Sequence, residues 1–359
     1  MRRRNVSVTG WWRKSKSFLL LFFKKEGLPA QARNWRNSAR QHHLSASDTP
    51  HVTAWTSADI PPLTGRIAII TGATSGIGAQ AALALAAHGA EVLLAVRDTA
   101  RGEAQAAAIR AQHPGARISV GALDLASLAS VRDFAGRTGD TIPRIDILLN
   151  NAGLGLQKTR HTTEDGFEQM FGTNHLGHFA LTGRLIPALL RAPAPRVVTI
   201  ASIAHRRGSI DFDDLQTERP YTGRKAYGQS KLANLMFALE LDRRARAAGS
   251  RLASIAAHPG VATTGFVAAT GTPRIMVTLA NLAISIFGHS SAKGALPGLY
   301  AATMPGVIGG QYWGPNGFLE VRGTPAPARI APQGQDHAVW ARLWTVSEEL
   351  TGVTYPALA

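Results

Sequence analysis

The fold of this 359-residue chain is decided by the stretch RIAIITGATSGIG, residues 66–78, where a short apolar run enters a glycine-rich turn. The run RIAIIT (66–71) has the length and β-branched content of a buried strand. After the turn, the alanine-rich segment AQAALALAAHG (79–89) predicts a helix. Strand, glycine turn and helix in this order are typical of the first unit of a dinucleotide-binding fold.

The turn TGATSGIG (71–78) has the residues that a pyrophosphate site needs. One glycine permits the tight turn, a second lets the backbone approach the phosphates, and a third lets the helix pack on the strand. The N–H groups and the dipole at the start of the helix also favour an anion. We therefore predict cofactor contacts from Gly72, Thr74, Ser75, Gly76, Ile77 and Gly78.

The second predicted strand, EVLLAV (91–96), is followed by Arg97 and Asp98. An NAD site usually ends this strand in a carboxylate that binds the ribose 2′-hydroxyl, whereas a guanidinium can pair with a 2′-phosphate. The arginine therefore favours NADP(H) over NAD(H). The alternative is that Arg97 is a solvated loop residue paired with Asp98.

Helices and strands then alternate along the chain. We predict helices at 99–112, 127–137 and about 175–191, and strands at 117–123, 144–150, 196–201 and 251–258. This alternation predicts an α/β fold: a single doubly wound Rossmann-type domain with a central parallel sheet of about seven strands and helices on both faces. Its ligand is expected outside the carboxyl ends of the strands. Asp124 follows the third strand, where a carboxylate can accept a hydrogen bond from an adenine amino group.

The charge of the chain is concentrated near its start. The formal net charge is +16, of which residues 1–51 carry +9. A nucleic-acid binder is expected to carry a basic stripe on its folded module, so this distribution argues against nucleic acid. The chain has no cysteine, which excludes disulfides, a thiolate nucleophile and cysteine metal sites.

Residues 1–51 lack a sustained helical or strand period, and their apolar run FLLLFF (18–23) is too short to span a membrane. Three interpretations stay open: a disordered basic tail, a targeting or membrane-surface segment, or a start codon assigned too far upstream of Val52. We expect a cytoplasmic, bacterial protein in which only this arm could associate with a membrane.

The domain is predicted over 52–359, with a cofactor-binding part at about 64–200, a catalytic and substrate part at about 201–320, and a C-terminal extension at 321–359.

Six motifs occur in a fixed order: TGATSGIG, Asp124–Leu125, NNAG (150–153), Asn174, Ser202 and Tyr227-x-x-x-Lys231. Over roughly residues 64–320 the chain thereby resembles the classical short-chain dehydrogenase/reductases. Three further segments look like the retinol dehydrogenase and protochlorophyllide reductase-like branch, namely TNHLGHF (173–179), IASIAHRRGSIDFDDL (200–215) and LWTVSEELTGV (343–353).

The resemblance implies an NAD(P)-dependent oxidoreductase of the EC 1.1.1 type and a role for each catalytic residue. Tyr227 would be the acid/base, Lys231 would lower its pKa and bind ribose, Ser202 would hold the substrate oxygen, and Asn174 would take part in a proton relay. Further cofactor contacts are expected from Arg97, Asp124, Leu125, Asn151, Ala152, Gly153, Tyr227, Lys231, Pro259, Gly260, Val261 and Thr263.

The stretch RPYTGRKAYGQSK (219–231) contains two tyrosines, each four residues before a lysine. Tyr221 follows a proline and has Gly223 within its spacing, so its segment is a poor helix and its ring is expected in an exposed loop. Tyr227 opens a segment with good helical propensity and apolar residues at intervals of three and four. We therefore predict that Tyr227 and Lys231 share one helical face and form the catalytic pair.

The segment 265–288 is apolar and almost uncharged. It is expected to be either a lid over a lipophilic substrate or a helix packed on a neighbour or on its own core.

His175, His178 and His205 form no ligand pattern, so no metal is predicted. We expect an NADP(H)-dependent carbonyl reductase or alcohol dehydrogenase with a lipophilic substrate, and we leave its homo-oligomeric state open. The alternative is a non-catalytic NADP(H)-binding regulatory protein.

Overall fold

In the part of the chain that the structure describes, eight strands form one sheet in the order β3-β2-β1-β4-β5-β6-β7-β8. All neighbouring strands are parallel except β7 and β8, which are antiparallel. The strands are β1 Ile67–Thr71, β2 Glu91–Val96, β3 Ile118–Ala122, β4 Ile147–Asn150, β5 Arg196–Ile200, β6 Ala253–Ala257, β7 Tyr312–Pro315 and β8 Pro325–Pro327. The predicted doubly wound Rossmann-type α/β domain is confirmed.

This computed structural model describes residues 54–260 and 290–358. The arm at 1–51, Val52, the predicted cofactor residues Val261 and Thr263, and the lid or packing helix at 265–288 lie outside the described residues. The division of the chain after residue 51 therefore stays a prediction.

Seven longer helices connect or follow the strands in the described residues. They are α1 Gly76–Ala87, α2 Thr99–Gln112, α3 Leu128–Thr141, α4 Gly177–Leu190, α5 Gly223–Ala247, α6 Ser291–Thr303 and α7 His337–Thr351. A single helical turn, Gln169–Phe171, and a π-helical turn, Gly172–Leu176, lead into α4.

Alternate residues of the strands enter two cores, one on each face of the sheet. In β1, Ile70 packs in the core that α1, α2 and α6 cover, and Ile69 packs in the core that α3, α4 and α5 cover. Both side chains are fully buried, as expected for a central strand with helices on both faces. The continuous apolar character of RIAIIT thus results from burial on both sides.

Two differences between the structure and the sequence prediction have a clear physical reason. Helix α5 begins at Gly223, four residues before Tyr227, because Thr222 caps it: its Oγ1 accepts a hydrogen bond from the Lys225 N–H at 3.2 Å. The sheet also has an eighth strand, β8. Its sequence, Pro-Ala-Pro, does not read as a strand, because proline is tolerated only at a sheet edge, where β8 lies.

Candidate active site

The glycine-rich turn joins β1 to α1 and leaves room for a ligand. Gly72 has a φ of +69°, and a Cβ atom there would lie 2.8 Å from the Cα of Ala152, so no other residue fits without a shift. Ser75 is the N-cap of α1, but its side chain makes no capping hydrogen bond. The first N–H groups of α1 therefore stay available to an anion, as the pyrophosphate of a dinucleotide requires.

Thr71, the last residue of β1, connects this turn to the NNAG segment. Its Oγ1 accepts hydrogen bonds from the backbone N–H groups of Asn151 and Ala152, both at 2.9 Å. Nδ1 of His178 lies 2.9 Å from the carbonyl oxygen of Asn174, which can only accept, so Nδ1 carries the ring proton. Nε2 of His178 then accepts from the Thr71 hydroxyl at 2.9 Å. His178 thereby links the cofactor turn to the turn that carries Asn174.

Ser202, Tyr227 and Lys231 meet at the carboxyl edge of the sheet. Ser202 follows β5 and hydrogen-bonds the Tyr227 hydroxyl. Tyr227 and Lys231 lie one turn apart on α5, and the Nζ of Lys231 is 5.9 Å from the centre of the Tyr227 ring. The same Nζ donates to the carbonyl oxygen of Ile200 at 3.1 Å, which holds the lysine against the end of β5.

Asn174 is fully buried in the π-helical turn before α4. Its Oδ1 accepts from the Leu154 N–H at 2.7 Å, and its Nδ2 donates to the Ser230 hydroxyl at 3.0 Å. A Cβ atom on Gly153 would lie 3.2 Å from Oδ1 of Asn174 and 3.3 Å from Nζ of Lys231. Asn174 and Lys231 therefore flank the same backbone segment.

One cavity of about 610 Å³ runs along this edge. Asn174 is not part of its lining. Its lining includes every other predicted site residue in the described part of the chain: Gly72, Thr74, Ser75, Gly76, Ile77, Gly78, Arg97, Asp124, Leu125, Asn151, Ala152, Gly153, Ser202, Tyr227, Lys231, Pro259 and Gly260.

A family model described as "short chain dehydrogenase" matches residues 66–274, more than half of the chain. The chain belongs to the short-chain dehydrogenase family. It is an oxidoreductase, and the family uses nicotinamide cofactors.

Similar proteins place this short-chain dehydrogenase in the retinol dehydrogenase-like branch. It is 38% identical to human retinol dehydrogenase 13 over 313 residues, which cover 86% of this chain and 91% of that protein. It is 39% identical to mouse polyprenol dehydrogenase over 299 residues, which cover 82% and 86% of the two chains. A solved structure of an uncharacterised protein from Mycobacterium paratuberculosis is 41% identical, with a TM-score of 0.70, and the match covers 85% of this chain and 100% of that one.

Burial dominates the electrostatics of the dehydrogenase's tyrosine in the protein without cofactor. Burial raises the pKa of Tyr227 to about 12, and the hydrogen bond from Ser202 lowers it only in part. Burial also lowers the pKa of Lys231 to about 8, so its ammonium loses its proton just above neutral pH. In the protein without cofactor, burial is the largest cause of the Tyr227 shift, and the lowering of this pKa by Lys231 stays a prediction.

The second tyrosine and its lysine, Tyr221 and Lys225, have separate surroundings and do not contribute to the cavity. Lys225 lies in the first turn of α5 and pairs with Asp211 and Asp214 at 3.0 and 3.2 Å. Tyr221 precedes the cap of α5 and is half-buried, not exposed as predicted. Burial and the nearby Glu168 carboxylate raise the pKa of Tyr221 to about 12. Tyr221 and Lys225 are absent from the lining of the cavity.

Several cavity residues were not predicted from the sequence, among them Arg101, Leu154, Gly155, Thr173 and Ile203. Arg101 had a usable signal, because it lies at the start of α2, four residues after Arg97. The Oδ1 of Asp98 accepts from the Arg101 N–H at 3.0 Å and so caps α2. Among the described residues, no ion pair joins Asp98 to Arg97, contrary to the alternative interpretation of Arg97.

The three histidines have structural partners. His175 donates from Nε2 to the Ser347 hydroxyl at 2.9 Å, and Nδ1 of His205 lies 2.7 Å from the carbonyl oxygen of Ser202. Within residues 54–260 and 290–358, no three metal-ligating side chains come together. The helices of these same residues include none with the length and apolarity to cross a membrane.

Proposed function

We propose that this short-chain dehydrogenase transfers a hydride between NADP(H) and the carbonyl or alcohol carbon of a lipophilic substrate. The proposal rests on one observation: the hydrogen-bonded hydroxyls of Ser202 and Tyr227 line the same cavity as the glycine-rich turn. A proton donor and a dinucleotide cradle in one cavity are what carbonyl reduction requires. A non-catalytic regulatory role would not need these two hydroxyls beside the cradle.

The bound nicotinamide would supply or accept the hydride. In the reducing direction, Tyr227 donates its proton to the substrate oxygen, and Ser202 holds that oxygen in place. A tyrosine whose pKa is about 12 is fully protonated at neutral pH, so it is ready to act as the acid. In the oxidising direction the same oxygen of Tyr227 takes the proton back.

Lys231 and Asn174 support the tyrosine. A cofactor ribose beside Lys231 gives its ammonium hydrogen-bond partners, which favours the charged form and with it a lower pKa for Tyr227. Asn174 fixes the backbone at Leu154 and borders Lys231 across Gly153, so it can hold a relay that returns a proton to this site. The lowering of the tyrosine pKa thus belongs to the complex with cofactor.

The preference for NADP(H) is proposed from the charge around the end of β2. Arg97 and Arg101 both line the cavity, and Asp98 is engaged in capping α2. Two guanidinium groups can pair with a 2′-phosphate. Arg97→Ala should weaken NADP(H) binding by about 1.5–3 kcal/mol, the scale of a hydrogen bond to a charged group, and leave NAD(H) binding little changed. Calorimetry with both cofactors checks this, and equal weakening of both would contradict it.

The lipophilic substrate is inferred from similarity to enzymes named for retinol and polyprenol. A panel of aliphatic, retinoid-like, steroid and aromatic carbonyls and alcohols, followed at the nicotinamide absorbance with purified protein, tests this. Activity on none of them would contradict the proposal. A cytoplasmic location, with any membrane association confined to residues 1–51, belongs to the same proposal and is tested by cell fractionation.

A further inference from the structure

A cluster of charged side chains lies beside the cavity and has no part in the proposed chemistry. Its centre is Glu320, whose side chain is 21% exposed, forms an ion pair with Arg206 and accepts a hydrogen bond from Nε2 of His258 at 3.1 Å. The second carboxylate oxygen of Glu320 accepts from the Arg329 N–H at 3.2 Å. All three partners belong to different segments of the chain, so Glu320 joins three loops.

Two of these loops carry residues that line the cavity. Arg206 lies in the 3-10 turn that Ser202 begins, four residues after that serine. His258 follows β6 and immediately precedes Pro259 and Gly260, which line the cavity. The cluster therefore connects the loop that holds the substrate-binding serine to the loop on which cofactor contacts are predicted.

The ring of His258 hydrogen-bonds both Glu320 and the backbone of the predicted cofactor loop. The Gly260 N–H donates to Nδ1 of His258 at 3.2 Å, so Nδ1 is the acceptor and the ring proton is on Nε2, facing Glu320. Gly260 has a φ of +70°, and a Cβ atom there would lie 2.3 Å from the carbonyl oxygen of Val321. The loop that contains Glu320 thus packs directly on the predicted cofactor loop.

The backbone at Glu320 is strained. Leu319 and Glu320 have φ values of +53° and +57°, two of only three non-glycine residues in this region of φ among the described residues. Such strain persists where the surrounding structure imposes it, and it concentrates at functional sites. The side chain of Leu319 is 42% exposed and takes no part in the cluster, whereas that of Glu320 reaches its centre.

We propose that Glu320 is a positioning residue for the reaction, which acts through Arg206 and His258 to hold the serine loop and the cofactor loop at the distance that catalysis needs. This inference rests on the proposed function. The serine turn has other anchors as well, since Nε2 of Gln333 donates to the carbonyl oxygen of Arg206 at 2.8 Å. Loss of Glu320 should therefore shift the turn without unfolding it.

The test uses two variants of the full chain that relieve the same backbone strain. Glu320→Gly removes the carboxylate, and Leu319→Gly keeps it. We expect Glu320→Gly to stay folded with a melting temperature close to that of the wild type, because relief of the positive φ offsets part of the cost of the lost contacts. Its kcat/KM for a carbonyl substrate should fall roughly tenfold or more, and its Kd for NADPH should rise, because small displacements of reacting groups are costly. Leu319→Gly should match the wild type in kcat/KM and in the Kd for NADPH.

A third variant separates positioning from stability. In Arg206→Met the same losses should appear, and combining it with Glu320→Gly should add little, because both changes break one connection. Wild-type kcat/KM and Kd in Glu320→Gly, an equal loss in Leu319→Gly, or full additivity with Arg206→Met would each overturn the inference.

The outcome is separable from that of the proposed function. A wild-type protein that reduces no carbonyl would count against the proposed function alone, and the calorimetric Kd for NADPH would still decide the role of Glu320. Activity that is lost in Tyr227→Phe and intact in Glu320→Gly would leave the proposed function standing and overturn this inference.

Discussion

The chain contains two tyrosine–lysine pairs with identical spacing in the same segment, and the structure gives them opposite environments. Tyr227 and Lys231 both lie on α5, and the lysine is buried against the end of β5. Tyr221 and Lys225 are separated by the N-cap at Thr222, and the lysine pairs with two aspartates near the surface.

The two lysines also differ in the direction of their pKa shifts. Burial lowers the pKa of Lys231 to about 8, whereas the hydrogen bond to Asp211 is the largest cause that raises the pKa of Lys225. Lys231 can therefore gain or lose a proton near working pH, and Lys225 stays charged. A spacing of four residues shows which side chains can share a helical face, but their surroundings decide whether they can do chemistry.

The largest difference between the pairs is expected from removing one hydroxyl. Tyr227→Phe should reduce turnover by about 10²-fold or more, the scale for loss of a positioned acid, because the ring still packs but no proton can be given. Tyr221→Phe is the matched control and should change turnover less than about threefold, as substitutions outside the site do. Steady-state kinetics measure both, and equal impairment of the two variants would remove the distinction between the pairs.

The second largest difference is expected from replacing the two lysines. Lys231→Met should reduce both turnover and NADPH affinity, each by about tenfold or more, because one ammonium is proposed to serve the tyrosine and the ribose. Lys225→Met should affect neither. Kinetics and calorimetry on the two variants check this, and a Lys231→Met protein with unchanged cofactor affinity would contradict the proposed contact with the ribose.

The pH dependence of the reaction sharpens the same contrast. The value of kcat/KM for NADPH reports ionisations of the free enzyme. It should fall as the pH rises through about 8, where Lys231 loses its proton, and this descent should be absent in Lys231→Met and present in Lys225→Met. The same titration midpoint in all three proteins would assign the ionisation to another group.

The smallest effect is expected in stability without cofactor. The pKa of Lys231 is lower in the folded protein than in the unfolded chain. Between about pH 8 and pH 10.5 the lysine therefore holds its proton in the unfolded chain and has lost it in the folded protein. Stability relative to Lys231→Met should therefore rise with pH in this window, by roughly 1 kcal/mol per pH unit at most. Urea unfolding of both proteins at several pH values measures the slope, and a negative slope would contradict the burial of Lys231.

The local sequence was sufficient for the order of β1 to β6 and of α1 to α5 along the chain, and for many of the residues that line the cavity. β2 and α2 were predicted with the observed bounds, because apolar period and turn residues are local properties. The glycine turn and Ser202 could be placed together because the carboxyl ends of parallel strands share one edge of a sheet, and the resemblance to short-chain dehydrogenases added Tyr227 and Lys231 to this site.

Tertiary structure alone decided the protonation of the site and the contacts between distant segments. The pKa of Tyr227 rises because the folded chain around it excludes water, and no local pattern reports how much water is excluded. Glu320 lies 114 residues after Arg206 and 62 after His258, and nothing in its own segment indicates these partners. Local periodicity describes which face of an element is buried, whereas the partners of a charged side chain depend on how the whole chain packs.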